Sequence, residues 1–301
     1  MYDVIIIGGG PGGMTAAIYS ARAGLKTLML EKLGLGGQAA LTFEIDNYPG
    51  FPDTISGMEL SAKFKMQVIR FGAEIKMEHV KSIEVNPDGT KTVFTRKGQY
   101  STKKLILSLG TKPKKLETDG EDRLSGAGVS YCATCDGALF KGQKTMVVGG
   151  GDTAFTDAVY LSKYSTEVTL VHRSDSFRAN RLLVERVREN PKVRIVTDSV
   201  VKKIIGDSCV KGVEIFSKVS GESSMIDTAA LFVAIGTQPQ TELVRELVKL
   251  DRNGFVLTDE HMMTNIDGIY AVGDMRVTPL RQIITAAADG AVAAAHAALN
   301  V

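Results

Sequence analysis

Cysteine is scarce, with three residues in a chain of 301. That number excludes a disulfide framework of the kind that staples small secreted domains, so a cytoplasmic protein is expected and any disulfide is a working one. An excess of charge of one sign is missing as well: 36 basic residues face 34 acidic ones, a net charge of +2. This balance provides no broad basic face for nucleic acid or for an anionic lipid surface. No apolar run approaches the length of a membrane span, because Gly or a charge interrupts each one. The opening Met1-Tyr2-Asp3-Val4-Ile5 carries neither a basic leader nor a small-residue cleavage site, and leads straight into a strand pattern. What remains is an ordinary globular balance, 44% apolar and 23% charged. The length suits about two domains at roughly 150 residues each. Glycine stands out, at 31 residues, and it falls in clusters.

The clusters belong to a repeated unit. Residues 4–7 form a short buried-strand run ending in Gly8-Gly9-Gly10-Pro11-Gly12-Gly13. An Ala-rich helical stretch, 14–23, breaks at Gly24, and residues 27–30 read as the next strand, closed by Glu31. The same grammar returns with a strand at 145–148, the turn Gly149-Gly150-Gly151-Asp152-Thr153-Ala154, a helix at 155–162 and a strand at 168–171 ending in His172-Arg173. Both turns fit G-x-G-x-x-G/A between strand and helix, through Gly8, Gly10 and Gly13 and then through Gly149, Gly151 and Ala154. The first Gly allows the tight turn, the second lets the backbone approach a pyrophosphate, and the third small residue lets helix and strand pack closely. The phosphate then rests on the helix N-terminus, at Pro11 in one unit and at Asp152-Thr153 in the other. One match is weak evidence against an ordinary glycine turn. Two matches with the same eighteen-residue interval, Gly13 to Glu31 and Ala154 to His172, are strong.

The units differ where a nucleotide is discriminated. Glu31 suits a ribose with a free 2′-hydroxyl, whereas His172, Arg173 and Arg178 form a basic set suited to a 2′-phosphate. Alone, such charges read as a solvated surface; their register favours two different dinucleotides, a flavin and a nicotinamide. A third repeat, 105–109 before Gly110-Thr111-Lys112-Pro113 and 231–235 before Gly236-Thr237-Gln238-Pro239, predicts strands ending in Gly-Thr-x-Pro. Residues 113–128 suit a crossing linker, and residues 238–243 the return.

Cys132-Ala133-Thr134-Cys135-Asp136 lies just upstream of the second unit. A C-x-x-C pair is a redox dithiol or half of a zinc site. Zinc needs two more ligands, and Cys209, His79, His172, His261 and His296 are scattered without paired spacing. A dithiol switch needs one exposed sulfur and one close resolving sulfur, which this spacing supplies. Asp136 is placed to move protons or, more plainly, to cap a turn. Cys209, in a hairpin-like stretch, reads as a buried structural thiol, and the dispersed Met residues as core filler. Near the C-terminus a strand at 268–272 ends in Gly273-Asp274, and Arg281-Gln282-Ile283 leads into an Ala-rich helix at 285–298. Asp274 suits a ribityl hydroxyl or a helix N-cap.

Over essentially its whole length the chain resembles the bacterial-type, low-molecular-weight thioredoxin reductases. The resemblance rests on Gly8–Gly13, Gly36-Gly37-Gln38, Asn47-Tyr48-Pro49-Gly50, Cys132-Ala133-Thr134-Cys135-Asp136, Gly149–Ala154, His172-Arg173, Phe177-Arg178-Ala179 and Gly273-Asp274 with Arg281-Gln282. It implies an α/β fold of two Rossmann-like domains, with the nicotinamide domain (116–240) inserted into an FAD domain split as 1–115 and 241–301. It further implies a homodimer and an interdomain rotation. Glu31, Gly36, Gly37, Gln38, Asn47, Asp274, Arg281, Gln282 and Ile283 would hold FAD. Cys135 would face the flavin, Cys132 would attack the thioredoxin disulfide, and Asp136 would protonate a leaving thiolate. Electrons would pass from NADPH to FAD, to the cysteine pair and on to thioredoxin, with no metal.

Two departures fall on the nicotinamide side. The family usually has His-Arg-Arg where this chain has His172-Arg173-Ser174, and two Glu where it has Thr156-Asp157. A reductase fed by ferredoxin or another flavin through a weakened nicotinamide site, and a redox sensor without turnover, both stay open. The flavoprotein of an alkyl hydroperoxide reductase carries an extra N-terminal disulfide domain, which a chain starting its first strand at Asp3 is expected to lack. A ferredoxin–NADP reductase type lacks the cysteine pair.

Overall fold

A computed structural model describes residues 1–42 and 45–301. The chain forms two compact units, Met1–Lys112 with Gln238–Val301 and, inserted between them in sequence, Pro113–Thr237. In the first unit the apolar run after Met1 becomes the strand Tyr2–Ile7, flanked in parallel by Thr27–Glu31 and Gln99–Leu107. Glu74–Met77 extends the sheet on one side. On the other, Gln99–Leu107 pairs in parallel with Ile269–Ala271 and antiparallel with Lys91–Thr95, which pairs in turn with Val80–Val85. Strand side chains alternate between faces, so both faces of the sheet must be covered. Val4, Ile6 and Ile106 pack under the helices Pro11–Arg22, Gly57–Arg70 and Ile283–Leu299, while Ile5, Ile7, Leu105 and Leu107 pack against Val244, Val248 and Val256.

The second unit repeats the plan with five parallel strands, in the order Val193–Val196, Glu167–Val171, Lys144–Val148, Ala230–Val233, Val129–Ser130. The helices Asp152–Ser162 and Arg181–Arg188 cover one face. A three-stranded antiparallel sheet, Ser199–Ile205, Gly212–Ser217 and Ser223–Asp227, supplies Ile204, Val213 and Ile215 to the other. In both units the glycine turn follows the strand at which the order reverses, the crevice where open α/β sheets take their ligands. Among the described residues no helix is long and apolar enough to cross a membrane.

Four expectations are corrected. Gly-Thr-x-Pro does not end a strand: the strands stop at Leu107 and Val233, and Thr111–Pro113 and Thr237–Pro239 form short strands of their own after Gly110 and Gly236. Residues 113–128 are not a crossing linker but part of the second unit, where the buried Glu121 accepts hydrogen bonds from the Leu116 and Glu117 amides at 2.8 and 2.7 Å. Cys209 is exposed at a hairpin turn rather than buried. The methionines divide: Met14, Met29, Met146 and Met275 are core, whereas Met58, Met66, Met77 and Met225 are exposed.

Candidate active site

The first glycine turn obeys the packing logic of its sequence. Gly8 has φ 107°, a left-handed value that favours glycine. A Cβ on Gly13 would run into the Gly8 carbonyl, and one on Gly12 would lie 3.0 Å from the Ala286 carbonyl oxygen. A Cβ on Gly10 would meet nothing within 4 Å, so that side of the loop is open to a bulky phosphate ester. Glu31 closes the back of the turn, accepting from the Gly9 and Leu33 amides at 2.7 and 2.9 Å.

The remaining flavin-side residues gather around this turn. The Gly36 amide donates to the Gly9 carbonyl at 2.7 Å, and a Cβ on Gly37 would lie 3.3 Å from Gly10 Cα. Asn47 Nδ2 donates to Gln282 Oε1 at 2.9 Å. Gln282, not Asp274, caps the helix Ile283–Leu299, through a capping box with Thr285. Asp274 instead lies in the single 3₁₀ turn Gly273–Met275, where burial pushes its carboxyl up and Arg281 opposes the shift. Gln38 does not join the cluster through its side chain, whose Nε2 donates to the Thr111 carbonyl. One pair escaped the sequence reading. Asp289 is 7% exposed and takes a bidentate grip from Arg276, at 2.7 and 2.8 Å, while also accepting from the Gly273 amide at 3.0 Å. A lone carboxylate inside an alanine-rich helix was the available signal, since a buried charge must be paired.

In the second unit Gly151 is open in the same sense as Gly10, and Ala154 is fully buried behind Gly149. The basic segment folds back over this turn: the Arg178 and Ala179 amides donate to the Gly150 carbonyl, and the Asn180 amide to Asp152 Oδ1. Thr153 is exposed in the first helical turn. His172 packs beside Phe177 with the rings tilted by 39°, its ring lying where a Gly150 Cβ would be, and burial lowers its pKa. Arg173 and Arg178 are exposed. Ser174 donates its one hydroxyl proton to the Ser176 carbonyl and sits 3.1 Å from His172 Nε2, so its hydroxyl is held inside the turn.

Cys132 and Cys135 form a disulfide, with Cα atoms 5.3 Å apart. Cys132 caps the single helical turn Ala133–Asp136, and its sulfur accepts from the Cys135 amide at 3.2 Å. Gly137, next in the chain, packs closely on Tyr160 and Leu161, where a Cβ would lie 2.8 Å from Leu161 Cδ2. Cys135 is exposed and Cys132 half-buried. Asp136 does not cap the turn: its Oδ2 accepts from the buried Ser130 hydroxyl at 2.7 Å, and the same hydroxyl oxygen accepts from the Cys132 amide at 3.0 Å. Ser130 thus links the first cysteine to the neighbouring acid, a role that nothing in its sequence position announces. Tyr131 is tied down separately, donating to Glu121 at 2.8 Å.

Residues 2–297 match the family model for pyridine nucleotide-disulphide oxidoreductases. A thioredoxin reductase of Listeria monocytogenes is 44% identical over 298 residues, covering 99% of this chain and 93% of the relative. One of Mycolicibacterium smegmatis is 43% identical, with 99% and 96% covered. Among solved structures, thioredoxin reductase of Lactococcus lactis superposes with a TM-score of 0.95 at 42% identity, and both chains are covered in full.

Proposed function

The chain belongs to the pyridine nucleotide-disulphide oxidoreductase family, and on that premise we propose that it is a thioredoxin-disulfide reductase using NADPH and FAD. The observation that carries the reading is the Cys132–Cys135 disulfide, with Cys135 exposed and Cys132 half-buried, in a chain with two open dinucleotide turns. We assign FAD to the first unit, held by Gly8–Gly13, Glu31, Gly36, Gly37, Asn47, Asp274 and Arg281–Ile283, and NADPH to the second, held by Gly149–Ala154, His172, Arg173 and Arg178. Bound in the first unit, FAD would supply the two-electron chemistry that couples NADPH oxidation to reduction of the disulfide.

The residues of this chain do the rest. Reduction of the disulfide takes two electrons and two protons and leaves a dithiol. The Cys132 thiolate then attacks a thioredoxin sulfur, forming a mixed disulfide and expelling a thiolate. Asp136, held beside Cys132 through Ser130, takes up the proton the Cys132 thiol loses and passes it to that leaving sulfur. Cys135 attacks Cys132, releases reduced thioredoxin and restores the intramolecular disulfide. Helix Gly57–Arg70 exposes Met58, Met66 and Ile69 at helical spacing, which supports a homodimer. The exposed free thiol of Cys209 suits a reducing, cytoplasmic compartment.

The purified protein should be yellow, release FAD on heat denaturation and bleach anaerobically with NADPH. A colourless protein that FAD does not reconstitute overturns the flavin assignment. A yellow one that bleaches only with reduced ferredoxin or a second flavin replaces NADPH as the donor.

A further inference from the structure

The basic turn of the second unit is short of one cation. Arg173 and Arg178 are exposed there, and the Ser174 hydroxyl is held by its own turn. A different element reaches the same place. The segment 196–199 runs beside the turn, with the His172 amide donating to the Val196 carbonyl and the Ser199 amide to the His172 carbonyl. Lys218, just past the strand Gly212–Ser217, docks on this segment through its amide, which donates to the Asp198 carbonyl at 2.8 Å. Its Nζ then spans to the Arg173 carbonyl at 2.9 Å. That contact takes one of the three ammonium donors and leaves two for a ligand.

We propose that Lys218 is a specificity-determining residue for NADPH, the third cation for the 2′-phosphate, supplied by the antiparallel sheet in place of an arginine at 174. The proposal rests on the assignment of NADPH to this unit. An adenosine 2′-phosphate is a compact dianion, and a lysine serves it as a point charge with rotatable donors. The nearby acids are the exposed Asp175 within the turn and the half-buried Asp198, whose charge acts on His172. Neither forms an ion pair with Arg173, Arg178 or Lys218 among the described residues, so no protein carboxylate competes with a ligand for the three cations. The alternative is a purely structural lysine that only pins the Arg173 carbonyl.

Calorimetric titration at low salt with 2′,5′-ADP and with 5′-AMP separates these roles, because the two ligands differ only in the 2′-phosphate. Lys218→Met should weaken 2′,5′-ADP about three- to tenfold, the range of a partly solvated charge contact. Its affinity for 5′-AMP should stay within about twofold. Lys218→Arg should retain 2′,5′-ADP binding, and the salt dependence of that binding should flatten in the Met variant alone. Equal weakening of both ligands makes Lys218 structural and overturns the proposal. A Met variant as tight as wild type for 2′,5′-ADP, when wild type prefers it over 5′-AMP, overturns the proposal and leaves the NADPH reading standing. A wild type blind to the 2′-phosphate removes both.

Discussion

Ser130 holds two groups with one hydroxyl, and that economy makes it testable. Its oxygen accepts from the Cys132 amide while its proton goes to Asp136. Ser130→Ala leaves both partners without that contact, and a hydrogen bond to a charged group contributes about 1.5–3 kcal/mol. Thioredoxin turnover should therefore fall by about tenfold or more, with bleaching by NADPH unchanged. An unaltered turnover number would remove Ser130 from the proton route. Asp157 makes a different kind of prediction. Burial pushes its carboxyl up to about 7 from 3.8, so folding favours the protonated form. That preference is fully present below the unfolded value and is lost as pH rises through the folded one. Asp157→Asn, which keeps the neutral shape, should melt higher than wild type at pH 8. The gap should close as pH is lowered toward 4, and a gap independent of pH would contradict the assignment.

At the scale of elements, the turn Gly273–Met275 and the helix Ile283–Leu299 are joined by the Arg276–Asp289 pair and by the Gly273 amide. Breaking one side of a buried pair strands the other charge, at a cost of about 3–5 kcal/mol. Asp289→Ala should lower the melting temperature steeply and loosen FAD, whereas Arg276→Met with Asp289→Leu should recover most of the stability. If the double variant is no better than the single, the stranded-charge account fails. The helix itself was legible, since alanine runs propagate helix. The pair was not, because its partners are thirteen residues apart and meet only after the chain has turned. The same limit explains Glu121, whose acceptor role for residues 116, 117 and 131 depends on a folded loop, and Cys209, which lies at a turn with little to cover it. Strand–turn–helix units were readable because each is local: Gly8 to Glu31 and Gly149 to His172 carry their own geometry.

At the scale of the whole chain, the duplicated turn is what made the fold class readable, and the cysteine pair what made the chemistry readable. The placement of Gln38 and Ser174 was not, because each side chain satisfies a backbone neighbour that the sequence does not identify. The proposed homodimer predicts about twice the chain mass by light scattering, and Ile69→Glu, at the C-terminal end of the exposed apolar helix face, should shift it toward the monomer. A wild type that runs as a monomer ends that proposal. The central claim is an electron route that must pass through both sulfurs. Its most direct test is the stoichiometry of NADPH oxidised to thioredoxin disulfide reduced, measured anaerobically with FAD-loaded wild type, Cys132→Ser and Cys135→Ser. The account predicts one NADPH per disulfide in the wild type and loss of thioredoxin reduction in both variants. Sustained thioredoxin reduction by either single variant would contradict it.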